Sequence, residues 1–129
     1  MKSPVKFLLV AAGIFGLIGS IMGAHMAGSG SYSLRPIHAH ILVVGWLSLF
    51  SWAVFYQTFN VKYNGLAKFH VWTAVIGTTG LVLGMFVNNV ASLGLPDVVT
   101  LILYIGGGAT LLLSFITFFI QTILYKAEK

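Results

Sequence analysis

Arg35-Pro36-Ile37-His38-Ala39-His40-Ile41-Leu42-Val43-Val44-Gly45-Trp46 opens an apolar run that continues to Thr58, and this run decides the fold. It is long enough to cross a hydrocarbon core, which takes roughly 20 residues of helix. It also carries two imidazoles at its mouth. Ionisable rings there are costly to bury unless something binds them.

Three further runs of similar character lie outward from this one, at residues 5–26, 69–90 and 98–125, with 37–58 as the second of the four. Their connections are 27–36, rich in Gly and Ser; 59–68, with a Tyr63-Asn64-Gly65 turn signal; and 91–97, with Gly94 and Pro96. Short connections make successive helices antiparallel neighbours. The sequence therefore predicts an all-α, integral membrane, antiparallel four-helix bundle, a single transmembrane domain over residues 1–129.

Composition agrees. The chain is 58% hydrophobic and only 7% charged, more apolar surface than a soluble domain of 129 residues can hide. The solvent for that surface is lipid. The chain has no cysteine. That excludes disulfides, iron–sulfur clusters, thiolate-ligated heme and covalent heme attachment through Cys-x-x-Cys-His.

The net charge of +5 lies in loops and tails, where it reports orientation rather than nucleic-acid binding. Lys2, Lys6, Lys62, Lys68, Lys126 and Lys129 fall on one side of the predicted topology, and Arg35 alone on the other. The positive-inside rule then predicts both termini in the cytoplasm of a cell whose inner membrane holds the chain, with the Arg35 loop external. The first run has a basic start and ends in Ala24-His25-Met26-Ala27, but it is too long for a cleaved signal peptide.

Small residues recur at close-packing intervals: Gly16, Ser20 and Ala24 on one stripe of the first helix, Gly19 and Gly23 on another, Thr73 with Gly77, and Gly80 with Gly84, on the third. Gly106-Gly107-Gly108 is expected to loosen the fourth.

Depth sorts the histidines. His25, His38 and His40 fall near the external surface, and His70 near the cytoplasmic one. At about 1.5 Å rise per residue, His70 lies roughly 25 Å or more from the others along the membrane normal and cannot share a metal with them. His70 reads as an interfacial residue beside Trp72 and Lys68. Residues two apart on a helix point about 200° apart. His38 and His40 thus cannot grip one iron from the same helix, and each faces its own neighbour.

Histidine is a common ligand for heme iron and transition metals. A six-coordinate heme on one of these rings takes its second ligand from His25 or from another protomer, with Met22 and Met26 as weaker candidates. Arg35, one turn before His38, suits a heme propionate. Trp46, Phe50 and Trp52 are placed to wall a porphyrin. No Asp or Glu belongs to the cluster, Asp97 falling in the last external loop and Glu128 in the cytoplasmic tail, which argues against a zinc hydrolase or di-iron carboxylate centre.

Arg35-Pro36-Ile37-His38 followed by an apolar helix resembles subunit I of heme–copper oxidases and the related nitric oxide reductases, in several of which a similar start to the second helix carries an axial ligand of low-spin heme b. His38-Ala39-His40-Ile41 is similar to the His-Phe-His of that family's tenth helix, where the two histidines serve hemes on opposite faces. The stretch from His38 to Trp46 looks like small oxidase-subunit-I-like membrane proteins. The match is specific over some fifteen residues and general elsewhere. It implies a bundle resembling one four-helix arc of the catalytic subunit, and a heme b held by His38, His40 and His25 with Arg35 nearby.

The chain departs from the family in having four spans rather than twelve, no adjacent His-His and no copper-ligand set. The resemblance thus implies electron transfer or binding of a diatomic gas (O2 or NO), with oxidoreductase activity only in an oligomer or with a partner subunit. Three copies around a three-fold axis would give twelve helices, with His38 of one copy and His40 of the next clamping a heme. A cytochrome or a quinol is the implied electron donor. Two alternatives stay open: a copper- or zinc-binding membrane protein using His25, His38 and His40, and a non-catalytic structural or assembly subunit of a respiratory complex.

Overall fold

The computed structural model describes residues 3–91 and 93–126. Lys2, Lys129 and Glu128 lie outside the described residues. Four helices run in sequence: α1 (Val5–Ser29), α2 (Arg35–Thr58), α3 (Gly65–Asn89) and α4 (Asp97–Leu124). Each is long and apolar enough to cross a membrane. The chain is an all-α four-helix membrane bundle.

Local chemistry sets the helix ends. Gly30, at φ 65°, ends α1 in the left-handed region that glycine enters without steric penalty. Asn64 caps α3 by accepting the Ala67 amide at 3.0 Å, so α3 begins four residues before the expected start at Phe69. Pro36 stands in the first turn of α2, where a missing amide costs nothing.

The middle of α2, Ile41–Ser48, is π-helical, which the apolar pattern did not foretell. The Ser48 hydroxyl donates to the Val43 carbonyl five residues back, at 2.8 Å. Below His40 the side chains therefore no longer advance by the α-helical 100° per residue.

Glycine sets the two tightest seams, with the same i, i+3, i+7 spacing. On α1, Gly16, Gly19 and Gly23 face α2. A Cβ on them would meet the Trp46 ring at 2.9 Å, Leu42, and the His38 ring at 2.9 Å respectively. On α3, Gly77, Gly80 and Gly84 face Leu111, Gly107 and Tyr104 of α4, backbone against backbone. Such approach gains dispersion contact in lipid, where no hydrophobic force drives helices together.

These stripes differ from the expected ones. Ser20 and Ala24 are exposed, with the Ser20 hydroxyl spent on the Gly16 carbonyl. Thr73 bonds carbonyls of its own helix. Gly106-Gly107-Gly108 does not loosen α4, which runs unbroken because Gly107 is the contact that seats it on α3.

The bundle's interior is small and partly polar, and its outside is oily. On α4, Thr100, Gly107, Ser114, Thr117 and Gln121 are buried, while Ile102, Ile105, Leu112, Phe119 and Ile123 are exposed. That is the distribution expected when the surrounding solvent is hydrocarbon. One core, around Leu8, Leu49, Trp52, Tyr56 and Val71, lies toward the end carrying both termini. A second, of Ile37, Ile41, Val82 and Met85, lies toward the opposite end.

Candidate functional site

The start of α2, at the end away from the termini, holds three of the four singled-out residues. His38 is half-buried in the α1–α2 seam, with its ring over Gly23 and its Nδ1 2.9 Å from the Gly19 carbonyl. His40 is exposed, with its Nδ1 2.8 Å from the Pro36 carbonyl. A carbonyl only accepts, so both rings donate through Nδ1–H, and Nε2 is the nitrogen not engaged by that bond. This is the tautomer in which a histidine ligates metal while its other nitrogen is anchored. Both lie in the regular α-helical turn before the π segment, so the 200° separation applies to them.

Arg35 is exposed, with its guanidinium carbon 4.6 Å from the centroid of the Tyr32 ring, so that the cation lies on an aromatic face at the bundle rim.

His25 is not brought to the same place. Gly23 faces His38, and His25, two residues on, is about 200° round α1 and exposed. Within one chain, His38 and His25 look away from each other. Among the described residues, no three His, Asp or Glu side chains group as metal ligands. Met26 is buried.

Met22 lines a lipid-facing apolar cleft of about 490 Å³ between α1 and α3, to which α2 contributes Ile37 and Ile41 but neither histidine. Trp46 and Phe50 are exposed, whereas Trp52 is buried in a different cluster toward the other end.

That cluster was not foreseen. His70 is fully buried rather than interfacial. Its Nδ1 lies 2.7 Å from the Tyr56 hydroxyl, which donates to Gln121 Oε1 at 3.0 Å. Tyr56 has one proton to give. Spent on Gln121, it leaves His70 as the donor through Nδ1–H and the His70 Nε2 lone pair bare. Trp52 stands edge-on to the His70 ring at 4.7 Å, and Phe118 stacks tilted on it at 5.7 Å.

One hydrogen-bonded string thus ties α2, α3 and α4. Three buried atoms along this interior have no partner among the described residues: His70 Nε2, Thr78 Oγ1 and Gln121 Nε2.

A signal for this cluster does exist in the sequence. His70 sits in register with Ala67, Ala74 and Gly77, a buried small-residue face, and Ser114, Thr117 and Gln121 repeat at i, i+3, i+7 on one side of an otherwise oily helix. Just outside the membrane-spanning segments, partial burial pushes the Tyr63 phenol above its ordinary pKa, and the Lys68 ammonium stands 5.9 Å from the centroid of its ring.

No family model, curated protein or solved structure matches the chain.

Proposed function

We propose that the chain is a membrane b-type heme-binding protein, related to subunit I of the heme–copper oxidases, that carries electrons or binds a diatomic gas. The observation that carries this reading is the paired Nδ1 anchoring of His38 and His40, which leaves Nε2 as the ligand atom of each ring, on opposite flanks of one helix.

The donor set fits a heme better than a bare ion. Copper or zinc sites ask for three or four protein ligands, whereas a porphyrin already fills four positions of its iron and needs one or two. Grouped triplets are lacking among the described residues; single anchored imidazoles are present.

In this reading His40 reaches out of the chain toward a second copy, and His38 holds its Nε2 at the α1–α2 seam. Arg35 offers the propionates an exposed cation at the rim. Since His25 is turned away from His38, the second axial ligand comes from a neighbouring protomer, which favours a homo-oligomer, a trimer by the twelve-helix count. Bound there, a heme supplies a one-electron couple or a gas-binding iron. The termini lie in the cytoplasm and the histidines near the external face, in keeping with the lysine distribution.

A hemochrome titration on the purified oligomer tests the reading. The expected stoichiometry is one heme per chain, lost in His40→Ala and in His38→Ala. Unchanged heme content in both variants overturns the assignment. Stoichiometric copper or zinc in heme-free protein would replace it with the metal-binding alternative. No cofactor of any kind, with full stability after all three external histidines are changed, would leave the structural-subunit alternative.

A further inference from the structure

The end that carries the termini holds a second concavity, remote from His38 and His40 and independent of the heme reading. It has a volume of about 580 Å³, within the ~300–1,000 Å³ of small-molecule sites. It opens where α2 and α4 end and α3 begins, at the level of the membrane surface. Lys62 and Lys126 line it, with Thr58, Asn64 and Gln121 as further polar wall and Leu124 on the oily side. Phe59 and Tyr125, edge to face at 5.2 Å, tie the end of α2 to the end of α4 across it.

Gln121 forms part of the inner wall. Its residue is 93% buried, since only 7% of its surface is exposed; its Oε1 is occupied by Tyr56, and its Nε2 has no partner. Gln121 thus closes the interior string and walls the concavity, while its Nε2, sealed from the opening, belongs to the interior. Two lysines in the wall of one concavity call for an acceptor.

The charges say which kind. Among the described residues this end carries Lys6, Lys62, Lys68 and Lys126 and no carboxylate, because Asp97 starts α4 at the other end.

We propose that this concavity binds a phosphate oxyanion, held by the Lys62 and Lys126 ammonium groups, and that its usual source is the headgroup of an anionic phospholipid. The position at the surface and the apolar Leu124 rim suit the first methylenes of a lipid's chains as well as its phosphate.

The test uses the full chain purified in a neutral detergent. Native mass spectrometry is run with equal amounts of phosphatidylglycerol and phosphatidylcholine, and thermal unfolding is followed in sodium phosphate against sodium chloride at matched ionic strength. Wild type should retain phosphatidylglycerol preferentially. Each of Lys62→Gln and Lys126→Gln should weaken that retention roughly fivefold, as expected near a membrane surface.

The Lys62→Gln/Lys126→Gln protein should lose the preference, whereas the Lys6→Gln/Lys68→Gln protein, which loses the same charge from the same end but outside the concavity, should behave as wild type. Stabilisation by inorganic phosphate that depends on Lys62 and Lys126, without lipid preference, keeps the anion site and makes free phosphate its source. Equal retention of both lipids with no phosphate effect, or identical behaviour of the Lys62→Gln/Lys126→Gln and Lys6→Gln/Lys68→Gln proteins, overturns the proposal.

Discussion

Replacing Tyr56 by Phe removes a single oxygen from the junction of three helices. The ring can stay where it is, between Phe55 and His70. The loss is therefore polar: His70 Nδ1–H and Gln121 Oε1 both lose their partner, adding two unpaired buried atoms to the three already there.

Two scales bound the cost. Leaving a buried donor or acceptor unpaired costs about 1–3 kcal/mol, so two give roughly 2–6 kcal/mol. Interhelical hydrogen bonds within membrane proteins average about 0.6 kcal/mol, so two give about 1.2 kcal/mol. The site is buried, which favours the upper scale, while re-pairing of His70 with Gln121 would recover part of it. We expect a loss of about 2–3 kcal/mol.

Unfolding in mixed micelles of a neutral detergent and dodecyl sulfate measures it. Tyr56→Phe, His70→Phe and the double variant complete a cycle, in which the double variant should cost less than the sum of the singles, because it removes donor and acceptor together. A Tyr56→Phe protein within about 0.5 kcal/mol of wild type, together with additive singles, would refute the string as a structural tie.

Other outcomes follow from the seams and caps. Gly107→Ala drives a Cβ into the Gly80–Leu81 backbone and should destabilise by about 1–3 kcal/mol in the same assay, whereas Gly13→Ala meets nothing within 4 Å and should be neutral or stabilise by up to about 1 kcal/mol. Asn64→Ala removes the acceptor for the Ala67 amide and should cost about 1 kcal/mol, read by the same unfolding curve; no change would mean that the cap contributes nothing. Gly23→Ala places a methyl 2.9 Å from the His38 ring. It should shift the heme spectrum while helix content by circular dichroism stays unchanged, and an unaltered spectrum would argue against His38 as a ligand.

The number, length and order of the helices were legible because lipid imposes one rule on every span: about 20 apolar residues with all backbone bonds internal. The 200° divergence of His38 and His40 was legible too, since both precede the π segment. What α1 shows to α2 was not. The sequence left His25 and a second protomer equal as partners for His38, and only the seating of Gly23 on the His38 ring turns His25 outward.

Trp52 and His70 were read by depth alone, as porphyrin wall and interfacial residue. Their burial depends on which faces of α2, α3 and α4 meet, and the π-helical turns of Ile41–Ser48 shift the azimuth of everything below them. Gln121 went unnoticed because one amide among apolar neighbours looks like noise until Tyr56 is found across from it.

The central claim is that His38 and His40 present anchored imidazoles to a heme. Its most direct test is the visible absorption spectrum of the purified protein after incubation with hemin, recorded oxidised, dithionite-reduced and then under carbon monoxide. The account predicts a Soret band that sharpens on reduction and disappears in His40→Ala, with a carbon monoxide shift only if one axial position is open. Absence of a Soret band from wild type after hemin incubation, or an identical band in the protein lacking both His38 and His40, would contradict it.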